Sequence, residues 1–229
     1  MATPSPSLAP ASDATLERNV LREQIKDLIL GRILSGEYEP GSRLVETRIA
    51  QELGVSQTSV REALRDLEHV GCVVYEPFRG CSVRTFSTAE LLEAFPVRAE
   101  LEALAARLAA ERMSDRQLKE LAGLYAAMLK AARRRDPHAQ AQADARFHAA
   151  VARGSDNATL ERQWTLLEPY ARTYITVERS GTDLVALSED HLPVLEALQR
   201  RDGELAAAAM RAHLLHAAEL LDGAAAGER

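Results

Sequence analysis

The chain has 229 residues, 46% of them hydrophobic and 27% charged, enough for one large or two small domains with a proper core. Aromatic residues are only 4%, and the abundance of Ala, Leu, Glu and Arg favours helices over sheets. The net charge of −6 excludes indiscriminate attraction to nucleic acid or acidic membranes, though not a local basic patch. The first fifteen residues, MATPSPSLAPASDAT, have neither a basic start nor an apolar core, so they are expected to be a disordered tail and not a secretory signal. No stretch approaches the roughly 18 apolar residues of a membrane span, and a soluble, cytoplasmic protein is the default expectation.

From about Leu16 to Ser35, the apolar residues Val20, Leu21, Ile25, Leu28, Ile29 and Ile33 recur at helical spacing. Gly36, Pro40 and Gly41 break that helix. A short helix is expected around Thr47 to Leu53, closed by Gly54. Ser56 is a good N-cap for the next, whose Val60, Leu64 and Leu67 form one stripe before Gly71 ends it. Two β-prone runs, Val73 to Tyr75 and Ser82 to Thr85, flank Glu76-Pro77-Phe78-Arg79-Gly80 as a hairpin would. Cys72 and Cys81 flank this turn, where they could lie on neighbouring strands, and are expected to be reduced filler; their spacing suits neither a disulfide framework nor a thiolate zinc site. Three helices followed by a hairpin describe a winged helix-turn-helix.

Beyond Ser87 there is no strand signal. Helices are expected over 88–112, 114–135, 137–153, 157–179, 184–200 and 202–222, with Pro96, Pro169 and Pro193 implying kinks or shifted ends. The fold class is thus mainly α: a winged helix-turn-helix over 16–86 and an antiparallel helical bundle over 87–223, after a tail at 1–15.

The second helix of a helix-turn-helix lies in the major groove with its N-terminal residues against base edges and phosphates. With Val60, Leu64 and Leu67 turned inward, Gln57, Thr58, Arg61 and Arg65 lie on the other side. Gln pairs bidentately with adenine, and Arg suits guanine or phosphate. Ser56, Thr58 and Ser59 offer hydroxyls and N–H groups to phosphates, and Arg79 with Gly80 forms the wing tip. Arg43, Thr47 and Arg48 complete the candidate DNA contacts. Bulk charge gives no support, since Arg18 to Arg84 contains ten Lys/Arg and ten Asp/Glu.

The run LILGRILSGEYEPGSRLVETRIAQELGVSQTSVREALRDLEHVGCVVYEPFRGCSVRTFS resembles the N-terminal domain of the GntR family of bacterial transcription regulators. The shared features are I-x-x-G-x-x-x-P-G-x-x-L, L-G-V-S, T-x-V-R-E-A-L and the R-G wing tip. The resemblance implies operator contacts at Ser56, Thr58, Ser59, Arg61, Arg79 and Gly80. Gln57 and Ser59 depart from the Arg and Pro common in relatives, so a half-site different from the family's usual one is implied.

The stretches VRAELEALAARLAAERM, DARFHAAV with SDNATL, and EDHLPVLEALQRRDGELAAAAMRAHL resemble the ligand-binding FCD domain of the FadR-type branch. Asp144 and His148 stand at i and i+4, one helical turn apart on one face. Alone they make an ordinary helix pair, but His191 and His213 are central to later helices. Three imidazoles and a carboxylate suit Zn²⁺, Ni²⁺ or another first-row divalent ion. The resemblance implies that Asp144, His148, His191 and His213 are the metal ligands, with His216 a competitor one turn from His213. His69 and His138 are expected to be solvated.

Arg98 reads from its surroundings as a surface residue; the resemblance implies that it binds the carboxylate of an effector, as a planar fork suits. Tyr170 and Arg172 are further candidates for that pocket, and Asn157 for a helix cap.

The expected function is a DNA-binding transcriptional regulator, a repressor, whose grip on double-stranded operator DNA is modulated by a small organic acid in a metal-containing pocket. One recognition helix covers too few base pairs for genomic specificity, so a homodimer is expected. The alternatives are a helical metalloenzyme of hydrolase type and a pure metal-ion sensor. No catalytic residues are assigned: no general base is identified beside the four ligands.

Overall fold

The computed structural model describes residues 13–34, 36–69, 71–167, 169, 172–173 and 183–227. The N-terminal elements are α1 (Asp13–Leu34), β1 (Arg43–Leu44), α2 (Glu46–Leu53), α3 (Gln57–His69), β2 (Val73–Glu76) and β3 (Gly80–Val83). Ile25, Ile29 and Ile33 of α1 bury against Ile49 of α2 and Val60, Leu64 and Leu67 of α3. The rest of the expected α1 stripe stays in solvent, with Val20, Leu21 and Leu28 between 37% and 57% exposed. The ends of α2 and α3 follow the sequence signals. Gly54 takes the left-handed conformation at φ 66°, and Ser56 Oγ accepts the Ser59 N–H at 3.1 Å.

The sheet has strand order β1-β3-β2, all antiparallel, with Tyr75 opposite Cys81 and Leu44 also opposite Cys81. β1 was not expected: two residues are too short to show the alternation that marks a strand. The break at Pro40-Gly41 creates it, because the chain turns back and Gly41 N–H and Ser42 C=O both bond Val83, at 3.0 Å each. Both cysteines are buried thiols outside any disulfide, and burial pushes the Cys81 thiol up to about 12, so it is unreactive.

Among the described residues, the elements of the helical half are α4 (Thr88–Arg112), α5 (Asp115–Arg133), α6 (Pro137–Gly154), α7 (Ala158–Leu166), α8 (Leu184–Glu189), α9 (Leu192–Gln199) and α10 (Gly203–Gly227). Capping boxes start α4 (Ser87 with Glu90) and α5 (Ser114 with Gln117). Asp136 and Asn157 cap α6 and α7, so Asn157 has the expected capping role. α4 is the central helix, packing along α10 and against α6. Its buried face is largely alanine, including Ala99, Ala103, Ala106 and Ala110, which lets neighbouring helices approach closely. α4 runs unbroken through Pro96 and keeps the start at Thr88 expected without it.

At the far end of α4, Gly154 lies so close to Met113 that a Cβ there would fall 2.6 Å from Met113 Cγ. Arg201 ties the same corner by donating to the Met113 carbonyl and to Asp115 Oδ1.

The single helix expected over 184–200 is two helices broken at Asp190-His191. Pro193 explains the break. It has no N–H to donate, and its ring would clash with the carbonyl four residues back, at Glu189, the last residue of α8. His191 is thereby left at the N-cap of α9.

Candidate metal centre and nucleic-acid interface

Three helical elements bring the histidines together. α6 supplies His148 from one turn beyond Asp144, the α8–α9 break supplies His191, and α10 supplies His213. All are buried: His191 0%, His148 2%, Asp144 5% and His213 6% exposed. His148 Nε2 lies 3.3 Å from His191 Nε2 and 3.3 Å from His213 Nε2. Asp144 stands at the edge of this triad, with Oδ2 3.4 Å from His191 Nε2 and Oδ1 3.6 Å from His148 Nε2.

The neighbours of the rings determine where their protons sit. Burial raises the Glu102 carboxyl, but the Arg98 guanidinium and His148 outweigh it and hold it at about 2, so it is a carboxylate. His148 Nδ1, 2.5 Å from Glu102 Oε2, is therefore its donor. His191 Nδ1 donates to the Leu187 carbonyl at 3.2 Å. Burial, only partly opposed by Asp144, lowers the pKa of His191. Burial and the two neighbouring imidazoles lower that of His213 much further. His191 is thus neutral with its lone pair on Nε2, facing the Nε2 of His148 and an oxygen of Asp144. A proton relieves only one of these contacts; a divalent cation relieves all of them together.

The spacing fits such an ion. With Zn–N bonds of about 2.1 Å, neighbouring ligand atoms stand about 3.0 Å apart at right angles and about 3.4 Å apart in a tetrahedron. The three imidazoles thus form a buried triad able to hold a metal ion, with Asp144 beside two of them.

Arg98 is 2% exposed, contrary to the surface reading of its sequence context. Its Nε donates to Glu102 Oε1 at 2.8 Å, so one buried carboxylate holds both Arg98 and His148. Among the described residues Glu102 is the only hydrogen-bond partner of Arg98, and the two Nη groups are left for other use. A cavity of about 30 Å³ is bounded by Arg98, Asp144, His148, His213, Phe95 and Thr173, among others. That volume holds a water or two.

Glu102 and Thr173 were not singled out from sequence. The signal for Glu102 was its i+4 spacing from Arg98 within an otherwise alanine-lined face.

Arg172 does not reach this cavity. Its Nε donates to the Leu167 carbonyl at 2.9 Å, its Nη1 to the Glu90 carbonyl at 2.6 Å, and its guanidinium lies 4.2 Å from the Phe86 ring centroid. Adjacent helical residues project about 100° apart, so Thr173 faces the cavity while Arg172 faces the link between the two halves. Tyr170 lies outside the described residues. His216 bonds Asp190 Oδ2 at 2.7 Å on the surface and is not a rival ligand. His69 is exposed and His138 half-buried.

In the N-terminal half, the candidate DNA contacts share the exposed side of α2, α3 and the wing. Thr47, Arg48, Ser56, Gln57, Thr58, Arg61, Arg65 and Arg79 are exposed and Ser59 is half-buried. Most of the cations have an acid alongside. Arg61 pairs with Glu46 at 2.8 Å, Arg65 with Glu68 at 2.7 Å, Arg79 with Glu76 at 3.3 Å and Arg48 with Glu52 at 3.6 Å. Arg43 makes no ion pair among the described residues; its guanidinium lies 3.4 Å from where a Cβ on Gly80 would stand. Gly80, at φ 85°, suits both that approach and the turn. Phe78 at the wing tip is fully exposed and also has positive φ, at 66°.

Residues 21–83 match the description "Bacterial regulatory proteins, gntR family", and residues 93–216 match "FCD domain". A probable D-xylose utilization operon transcriptional repressor of Paenarthrobacter nicotinovorans is 35% identical, over 89% of this chain and 90% of that protein. The HTH-type transcriptional regulator McbR of Escherichia coli is 28% identical, over 79% of this chain and 83% of its own. The solved structure of E. coli McbR/YncC superposes with a TM-score of 0.72 at 24% identity, covering 89% of this chain and 97% of the other. A putative GntR regulator from Rhodococcus sp. RHA1 gives a TM-score of 0.70 at 21% identity, covering 88% and 97%. Both structures share the fold. No described helix is long and apolar enough to cross a membrane. The winged helix-turn-helix, the helical bundle behind it and the two domain matches together make this chain a member of the GntR family, a DNA-binding transcriptional regulator with a C-terminal FCD domain.

Proposed function

We infer that the protein is a repressor of the FadR-type branch, acting as a homodimer, whose FCD domain holds a divalent ion and a small organic acid. The observation that carries this reading is the convergence of His148, His191 and His213, their Nε2 atoms 3.3 Å apart on two edges in a buried site. Asp144, His148, His191 and His213 are the ligand set. A nitrogen-rich set with one carboxylate favours Zn²⁺ or Ni²⁺. When bound, the ion supplies a Lewis-acid anchor for a carboxylate. Arg98 adds a second anchor through its free Nη groups, and Glu102 keeps that guanidinium in place.

The cavity beside these groups is far smaller than a typical ligand pocket of about 300–1,000 Å³. An acid larger than its own carboxylate therefore extends beyond the described walls or displaces part of them, such as Thr173. Arg172, the next residue, grips Phe86 and Glu90 at the start of the bundle, which gives wall movement a route to the winged helix. The acid thus shifts the population between operator-competent and released forms. We place the division between the two units at residues 86 and 87. Repression, in place of activation, is supported by the name of the Paenarthrobacter relative. An enzymatic reading is disfavoured because Glu102, the carboxylate beside the triad, is committed to Arg98 and His148.

The operator face comprises Arg43, Thr47, Arg48, Ser56, Gln57, Thr58, Ser59, Arg61, Arg65, Arg79 and Gly80. Two measurements test the proposal. Protein purified without chelator should carry one metal per chain, and the fourfold alanine variant of Asp144, His148, His191 and His213 should carry none; undiminished metal in that variant would sink the site. Arg61→Ala with Arg79→Ala should abolish operator binding, and an unchanged affinity would remove this face from the account.

A further inference from the structure

One acid on the operator face holds two of the candidate base readers at once. Glu46 opens α2, and its side chain is only 16% exposed beside the 53% exposed Arg61. Its Oε2 accepts from Arg61 Nη2 at 2.8 Å and Nε at 3.0 Å, and from Gln57 Nε2 at 3.0 Å. Its Oε1 accepts from the Tyr75 hydroxyl at 3.1 Å. Tyr75 belongs to β2, and its ring lies 4.1 Å from the Arg65 guanidinium. Its backbone N–H donates to Glu68 Oε1 at 3.3 Å. The wing is thereby tied through Glu46 and Glu68 to the polar side of α3.

The chemistry of these bonds limits what the two readers can present. A carboxylate only accepts, so Gln57 must turn its Nε2 toward Glu46, which fixes the direction of its amide. Arg61 has its Nε–Nη2 edge occupied and retains the end-on pair of N–H groups, which still suffices for a guanine or a phosphate. A phosphate alone gains less from an arginine already paired with a carboxylate than from a free one.

We propose that Glu46, anchored by Tyr75, is a specificity-determining positioning residue: it sets the orientation in which Gln57 and Arg61 meet base edges, and its charge keeps binding to unmatched DNA weak. The proposal rests on the reading of the start of α3 as the operator face.

The test uses the full chain and selection from a random-sequence duplex library. Anisotropy titrations then follow, on the selected duplex and on an unrelated one, over a series of salt concentrations. Glu46→Gln keeps the volume and removes the charge. It should lower the ratio of specific to non-specific affinity at least tenfold and relax the selected base at one or two adjacent positions. The salt slope on unrelated DNA should steepen by about one, the mark of one newly freed phosphate contact. Tyr75→Phe should move the ratio the same way by a smaller factor, and Glu46→Asp should keep unrelated binding weak. A purely structural role would lower the melting temperature and weaken both duplexes together, leaving base preference unchanged; that result overturns the proposal. A wild-type chain that selects sharply beside a Glu46→Gln variant with the same sites and ratio overturns the brace alone. A wild-type chain that selects no sequence overturns the operator face and the brace upon it.

Discussion

Replacing Glu102 with Gln separates the two tasks of that carboxylate with almost no change of shape. Glu102 is 1% exposed, and its oxygens are divided: Oε1 takes the Arg98 Nε and Oε2 takes His148 Nδ1. An amide has only one oxygen: turned to His148 it sets its NH₂ against the Arg98 N–H, and turned to Arg98 it leaves its NH₂ for His148 Nδ1, which accepts it only by moving its proton to the metal-facing Nε2. The charge of Arg98, itself 2% exposed, also loses its partner. Removing one member of a buried ion pair costs about 3–5 kcal/mol. At about 2–4 °C per kcal/mol for a chain of this size, the metal-free protein should melt about 6–20 °C lower. Loss of the acceptor that orients a ligating imidazole typically weakens metal binding about 10–100-fold. The assay is paired thermal melting of chelator-treated wild type and Glu102→Gln, followed by competition titration with Zn²⁺. A variant that melts within a degree of wild type and binds zinc equally well would refute the account of the buried Arg98–Glu102–His148 chain.

Other perturbations probe separate parts of the structure. Phe78 is fully exposed at φ 66°, so Phe78→Gly should relieve about 1 kcal/mol of backbone strain and raise the melting temperature; a lower one would mean that the ring makes a stabilising contact. Gly154→Ala gains helix propensity of about 1 kcal/mol. It also drives a Cβ to 2.6 Å from Met113 Cγ, and overpacking of that kind costs about 1–3 kcal/mol. A net loss near 1 kcal/mol in denaturant unfolding is expected, whereas a stabilised variant would show that Met113 moves aside freely. Arg172→Ala should leave metal stoichiometry and affinity unchanged, because that side chain faces Phe86 and the Glu90 carbonyl; weakened metal binding by calorimetry would put it back in the pocket.

Local signals marked most of the fold. The caps at Ser87, Ser114, Asp136 and Asn157 lie where the sequence changes from loop to periodic helix, so the starts of those helices were visible. The Asp144–His148 spacing was equally plain, because one helix carries both. What local reading missed were features created by distant parts of the chain. β1 exists only because the wing is there to pair with it. Pro193 signalled a kink or shifted end in the expected 184–200 helix; the sequence did not show that its effect, four residues upstream at Glu189, divides that helix in two. Glu102 was not singled out, since its second partner, His148, lies 46 residues away. The family resemblance implied Arg98 as an anchor for an acid, with Arg172 a further candidate for the same pocket. Only the direction of each side chain separated the buried fork at the cavity from the one gripping Phe86.

The most direct measurement is a crystal structure of protein purified without chelator, with anomalous data collected on both sides of the zinc and nickel absorption edges. The account predicts one strong peak per chain, about 2.1 Å from the Nε2 atoms of His148, His191 and His213, with an Asp144 oxygen in the same shell. Ordered, unmodified imidazoles at full occupancy with no anomalous peak between them, after crystallisation with added Zn²⁺ or Ni²⁺, would contradict it.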